Sequence, residues 1–434
     1  MKKVFAFLSL SVICVYAHSQ SIDKIINAKE VKRIEKIISA DDMEGRRTFT
    51  PGIAKASAFI ESEFEKIGLD KFNGAANYRQ EFAMTESKPI SAKLTVDGAT
   101  VPDSLFALFS YQQKVSFTEK SGVEVVKIAA SDKFVPKFYE YIGSKKDLIV
   151  LLDTSFRSRM KRIKGMDKVS AEPGAASVLF ILGSTVPTSF SLEAENAIEK
   201  KPLNNVVGVL PGKSKPDEYV IFSAHYDHLG TGSPREGEQH DEKDSIYNGA
   251  NDDAAGSTAV IMLAKYFKAM NNNERTIIFT TFVAEELGGY GSQYFSKQLP
   301  PEKVMAMFNI EMIGTESKWG KNSAYITGYE KTNMGEILQK NLTGSAFTFH
   351  PDPYTEQQLF YRSDNATLAR LGVPAHTIST SKMDSEPNYH KASDEIGTLD
   401  MKNMAAIIKA IAVSSTSIVN GTDTPTRVDA QKLK

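Results

Sequence analysis

Two pieces of sequence, Tyr219–Gly230 (YVIFSAHYDHLG) and Tyr247–Gly256 (YNGANDDAAG), decide how the rest of the chain is read. Tyr219 to Ala224 is an apolar run rich in β-formers and predicts a buried strand. That strand delivers His225 and Asp227 at its C-terminal end. After a polar loop come Gly249-Ala250-Asn251-Asp252-Asp253 and then AAGSTAVIMLAKYF, whose apolar spacing predicts a helix. An imidazole and a carboxylate, each at the end of a regular element and facing one cleft, are what a zinc site needs. A surface histidine beside a solvated acidic loop would carry the same letters, so groups further along the chain must decide.

Working outward, the pattern from Asn205 to about Val419 alternates strand and helix. Strand candidates are NVVGVL, YVIFSA, TIIFTTFVA, VMAMFNIEM, SAYITG and AHTIST, with helices at 255–270, 287–298, 332–342, 363–371 and 401–418. This alternation predicts an α/β fold, a mixed and mostly parallel sheet covered by helices on both faces. Ligands of such sheets bind outside the carboxyl ends of the strands. Upstream, a helix is expected over 21–40. The loop Asp41–Gly52 (DDMEGRRTFTPG) then leads into a helix over Ile53–Ile67, stopped by Gly68. From 92 to 195 the texture changes to short strand-like runs without a histidine, read as an inserted, mainly β domain. The zinc-site-bearing domain would then comprise 20–91 and 196–434, and the tail after Gly421 reads as loosely ordered.

Residues 1–19 have a basic start (Lys2, Lys3), an apolar centre and a small-residue end, the pattern of a secretory signal peptide. The chain is therefore expected to be exported, periplasmic or secreted. The only cysteine, Cys14, lies in that segment, so the mature chain would have neither a disulfide nor a thiol nucleophile. A lipoprotein role for Cys14 is disfavoured by the bulky Ile13 before it. The formal net charge of −1 argues against nucleic acid as the partner, and no stretch is long enough to be expected to span a membrane.

Further ligand-type groups gather at the predicted strand ends. TIIFTTFVA ends in Glu285-Glu286, VMAMFNI ends in Glu311, and EPNYHKASDE carries His390. Acidic residues directly after buried strands are poorly explained as solvated surface. Two histidines and three carboxylates suit two zinc ions sharing one bridging carboxylate, with one glutamate kept off the metal as proton acceptor. Taken in order, His225-Tyr226-Asp227, Gly249–Asp253, Glu285-Glu286, Asn309–Gly314 and Tyr389-His390 resemble the signature of the co-catalytic di-zinc aminopeptidases. This is the zinc exopeptidase family that also holds glutamate carboxypeptidase II. The DDMEGRRTFTPG loop and DHLG are similar to its secreted bacterial members.

The resemblance implies two Zn2+ per chain, with Asp252 bridging both. His225 and Glu311 would complete one site, Glu286 and His390 the other. Glu285 would be the general base, and Asp227 would hydrogen-bond His225 and fix its tautomer. Many members have Asp where Glu311 stands. The insert is similar to a protease-associated domain, whose usual role is shaping substrate access. The activity implied is hydrolysis of the N-terminal bond of peptide substrates by a zinc-bound hydroxide. Rival readings are a single-zinc glutaminyl cyclase and a non-catalytic ectodomain on the same fold, as in transferrin receptors.

The other polar candidates read more blandly. His228 is expected at the mouth of the site or exposed, and His240 solvated. His350 and His376 are expected to be structural. Ser363-Asp364 precedes a helix and reads as an N-cap, with a role at the site left open. Tyr361 and Arg362 are candidates for substrate contact.

Overall fold

The computed structural model describes residues 22–232 and 244–433, so the segment 1–19 with Cys14, and His240, lie outside the described residues. The chain forms two compact units, one built from residues up to Glu81 and from Asn204 onward, the other from Phe82–Leu203. Both boundaries fall inside long strands, Arg79–Val96 and Phe190–Leu210.

The first unit is built on α1 (Ala28–Ile38), α2 (Pro51–Ile67), β1 (the end of Phe190–Leu210), β2 (Lys215–His225), α3 (Ala255–Met270), β3 (Arg275–Phe282), β4 (Val304–Ile310), β5 (Ser323–Ile326), β6 (Thr348–Pro351), β7 (Ala375–Ser379) and α4 (Met401–Ser414). Strand order is β6-β5-β7-β4-β2-β3-β1. The central strands β3, β2, β4 and β7 run parallel. The flanking pairs β1/β3 and β5/β7 are antiparallel. The apolar runs explain this: β3 is buried along its whole length, as is β2 from Val220 onward. Strands covered on both faces need no polar alternation.

Side chains alternate between the two faces. Phe222 stacks on Phe267 of α3 and on Phe308 of β4, with ring centroids 5.4 and 4.9 Å apart. Its neighbour Ile221 points to the opposite face, into a cluster with Phe295 and Leu368. Pro51 opens α2 and Gly68 closes it in the left-handed conformation (φ 76°). The tail after Gly421, read from sequence as loose, is tied down instead. The buried Arg275 donates to the carbonyls of Ile418 and Asp423, and Arg427 to that of Val304.

The chain leaves β2 for β3 on one side and then crosses to β4 on the other. The crevice outside the carboxyl ends of β2 and β4 is thus the switch point where α/β sheets bind ligands.

The second unit holds a four-stranded sheet ordered Phe106–Phe109, Val178–Leu182, Leu148–Leu152, Glu124–Ile128. The helices Phe134–Ile142 and Arg157–Gly165, not foreseen, pack Phe138, Met160 and Ile163 against one face of that sheet.

Candidate metal centre

His225 is the last residue of β2 and is 1% exposed. Its Nδ1 stands 3.1 Å from the backbone carbonyl of Asp227, which puts the ring proton on Nδ1. The Asp227 carboxylate lies 3.9 Å away, so the tautomer is fixed by the main chain of Asp227 and not by its side chain, as sequence had suggested. The carboxylate instead accepts the backbone N–H groups of Glu285 (3.0 Å) and Glu286 (3.3 Å). It thereby ties the end of β3 to the end of β2. Burial pushes the Asp227 pKa up to about 6.

With the proton on Nδ1, Nε2 of His225 presents a lone pair. That atom is buried without a hydrogen-bond partner and faces Oδ1 of Asp252 at 3.2 Å. Two buried acceptors at this distance require a cation or proton between them. Burial opposes protonation of His225, but Asp252, Glu285 and Asp253 outweigh it and hold its pKa well above the ordinary value.

Asp252 lies in the short segment Ala250–Ala254 ahead of α3. Asp394 shapes that segment by accepting the N–H groups of Asn251 and Asp252 at 2.9 and 3.0 Å. Gly249 is in the left-handed region (φ 54°), and a Cβ there would stand 2.3 Å from the Asp252 carbonyl oxygen. Asp253 accepts from His225 N with one carboxylate oxygen and from Gly256 N and Met312 N with the other. It joins the ends of β2 and β4 to the start of α3.

The two oxygens of Asp252 face opposite ways. Oδ1 meets His225, while Oδ2 lies 3.2 Å from Nε2 of His390. The same His390 nitrogen is 3.2 Å from Oε1 of Glu286. These histidines hold the Asp252 pKa well below the carboxylate range although burial opposes it. Burial raises the Glu286 pKa too, but His228 and His390 overcome it and hold that carboxylate well below its usual range. His390 in turn is raised to about 10 by Asp252 and Glu286, against the effect of burial.

Among the described residues, two sets of potential metal ligands converge, His225-Asp252-Glu311 and His228-Asp252-Glu286, and they share Asp252. Burial, with Asp252 and Asp364 near, pushes Glu311 up to about 7. Desolvation, with Glu311, Asp364 and Glu286 near, raises the Glu285 pKa well above normal. Buried acids here outnumber cations, the environment that a divalent metal relieves. Histidine nitrogens and carboxylate oxygens are zinc's own donor types, so the residues present fit zinc.

The structure thus gathers His225, Asp227, Asp252, Glu285, Glu286, Glu311 and His390 at one crevice. It departs from the sequence reading at His228, which is neither at a mouth nor exposed but 1% accessible. Asp364 makes no cap bond to the helix it precedes; it is 1% exposed and lies toward Gly289 of the Glu285 turn. His376 bonds Thr332 and the Thr327 carbonyl, each at 2.8 Å, and His350 stacks on Trp319. Arg362, Tyr325, Thr377 and Tyr389 line a pocket opening beside Glu311. Tyr361 packs against the hydrophobic core instead.

Sequence reasoning missed Arg46, which is 0% exposed. Its guanidinium donates to the carbonyls of Ile38, Tyr226, Asn248 and Gly249. It thereby staples together the two segments that carry His225 and Asp252. The tight Gly45 before it was the one available signal: a Cβ there would stand 2.4 Å from the Gly230 carbonyl oxygen.

Residues 205–415 match the sequence profile of peptidase family M28. The chain carries an M28 peptidase domain. This M28 domain is similar to the "Probable leucine aminopeptidase" of Trichophyton verrucosum, 29% identical over 46% of this chain and 53% of that protein. It is also similar to aminopeptidase YwaD of Bacillus subtilis, 29% identical over 29% of this chain and 25% of that protein. The chain spans about half the length of the first curated relatives it matches. Its fold resembles that of the aminopeptidase from Aneurinibacillus sp. strain AM-1, with a TM-score of 0.55 and 16% identity over 95% of this chain and 98% of that one. The likeness to BSAP, a zinc aminopeptidase from Bacillus subtilis, has the same TM-score and identity over 92% and 97%. At such identity it is a likeness of fold.

Proposed function

We propose that the protein is an exported aminopeptidase that holds two zinc ions and removes N-terminal residues from peptides. The observation that carries this reading is Asp252, whose two oxygens each stand 3.2 Å from a different histidine, His225 and His390, with Glu285 beside them. His225, Asp252 and Glu311 would hold one zinc; Asp252, Glu286 and His390 the other. Zinc bound there supplies Lewis acidity, polarising the scissile carbonyl and making water a usable nucleophile near neutral pH.

The chain's own residues do the rest. Glu285 accepts the proton of the attacking water and returns it to the leaving amine, so the peptide C–N bond breaks with protons balanced. Asp227 holds the backbone of Glu285 and Glu286 so that their side chains serve different tasks. The pocket lined by Arg362, Tyr325, Thr377 and Tyr389 receives a substrate side chain.

The test is metal analysis of the purified protein together with hydrolysis of aminoacyl-anilides and N-acetylated peptides. About two zincs per chain, cleavage of free but not blocked N-termini, and loss of activity on chelation are expected. One tightly held zinc with efficient cyclisation of N-terminal glutamine would overturn the reading in favour of a cyclase.

A further inference from the structure

We propose that His228 is a positioning residue of this centre: its Nδ1–H holds the carboxylate of Glu286 in the orientation at which it meets His390 and Asp252. The inference rests on the two-zinc reading above.

His228 sits on the turn leaving β2, three residues beyond His225. Its backbone N–H is donated to the Arg46 carbonyl at 3.2 Å. The ring is wedged against Gly249, where a Cβ would come within 2.5 Å of its Cγ and Cδ2. Its side chain is fully buried, and Nδ1 stands 3.0 Å from Oε1 of Glu286. Asp252 Oδ2 is farther, at 4.0 Å.

Two chemistries could place an imidazole nitrogen here, ligation or hydrogen bonding. A ligating histidine donates its other ring N–H to a partner that fixes the ring. Nε2 of His228 is buried and has no such partner. The structure therefore favours the proton on Nδ1, donated to Glu286. An ionised carboxylate offers about four acceptor directions, so this bond leaves Glu286 with capacity to face His390. The need for it is plain: glutamate is long, and its Oε1 must stay 3.2 Å from His390 in a crevice crowded with other carboxylates.

The test uses the full chain, stripped of metal and titrated with Zn2+ against a competing chelator. Wild type should bind two equivalents. His228→Leu should keep one site and weaken the other by about 10–100-fold, the usual effect of losing a group that orients a ligand. His228→Asn, whose side-chain N–H can stand where Nδ1–H does, should recover most of that affinity. With Co2+ in place of Zn2+, its absorption spectrum should match wild type. Unchanged affinity in His228→Leu would overturn the proposal. An Asn variant as weak as Leu with an altered cobalt spectrum would also overturn it, making His228 a ligand. Should His228→Leu not fold, His228→Asn is compared with His228→Gln, whose amide reaches the Nε2 position instead; equal affinities then overturn it. A wild-type chain that binds no zinc sinks the two-zinc reading itself, whereas two zincs with indifferent variants sink only the role of His228.

Discussion

Replacing Arg46 by methionine tests whether one buried guanidinium holds the centre together. The side chain gives N–H groups to four main-chain carbonyls, those of Ile38, Tyr226, Asn248 and Gly249. Methionine fills similar space and donates none. The Gly249 carbonyl still accepts the Ala254 N–H at 3.2 Å, so three carbonyls lose their partner; at about 1–3 kcal/mol for each buried carbonyl left unsatisfied, the lower bound is a loss of about 3 kcal/mol. Whole domains are stable by only about 5–15 kcal/mol. Burial works against the charge and lowers the Arg46 pKa even though Glu35, Asp394, Asp227 and Asp252 favour it, so the expected loss rests on the hydrogen bonds alone. The chain has a single tryptophan, Trp319, which stacks on His350. Its fluorescence during urea unfolding therefore reports on the M28-bearing unit alone. Measured without metal, Arg46→Met should lose at least about 3 kcal/mol. Arg46→Lys should fall between it and wild type, since lysine keeps the charge but offers three donors from a single point. A loss under about 1 kcal/mol in Arg46→Met would mean that water satisfies these carbonyls, and the reasoning would fail.

The adjacent glutamates should separate chemistry from metal binding: Glu285→Gln keeps its zinc while kcat drops by at least about 10²-fold, and Glu286→Gln loses affinity for one zinc. The opposite pattern of metal contents would reverse the assignment of the pair. His376 is buried between Thr332 and Thr327, and burial lowers its pKa to about 4. A depressed histidine contributes stability that is complete above its unfolded pKa near 6.5 and is lost as pH falls toward 4, about 3 kcal/mol in all. The fall in urea stability from pH 7 to pH 4, read from Trp319, should shrink by about that amount in His376→Gln; an unchanged fall would refute it.

What could be read without the structure was what local pattern encodes. The apolar runs before His225, Glu285 and Glu311 are too continuous for half-solvated strands, and an acid directly after such a run stands out. His390 has no such frame; it sits in a polar loop, and only its company with the other ligand-type groups singled it out, its pairing with Glu286 coming from the family resemblance. Arg46 was invisible because a charged residue in a polar loop looks solvated. Its burial depends on carbonyls some 180 to 200 residues away. His228 was misjudged for the same reason, since only the fold brings Glu286 to it. The helix Arg157–Gly165 escaped because it buries just Met160 and Ile163 among five basic residues, too thin a stripe to show a period.

The way Asp252 is held has a consequence for biosynthesis. Its loop takes shape only when Asp394, 142 residues later, accepts its amide. Its second histidine, His390, belongs to the same late stretch. A chain emerging from the ribosome therefore has Arg46, His225, Asp252 and both adjacent glutamates long before it has a closed ligand set. On the two-zinc reading, metal loading would be a finishing step, and a chain interrupted before Tyr389 would have a crevice of acids without His390 to complete its ligand set.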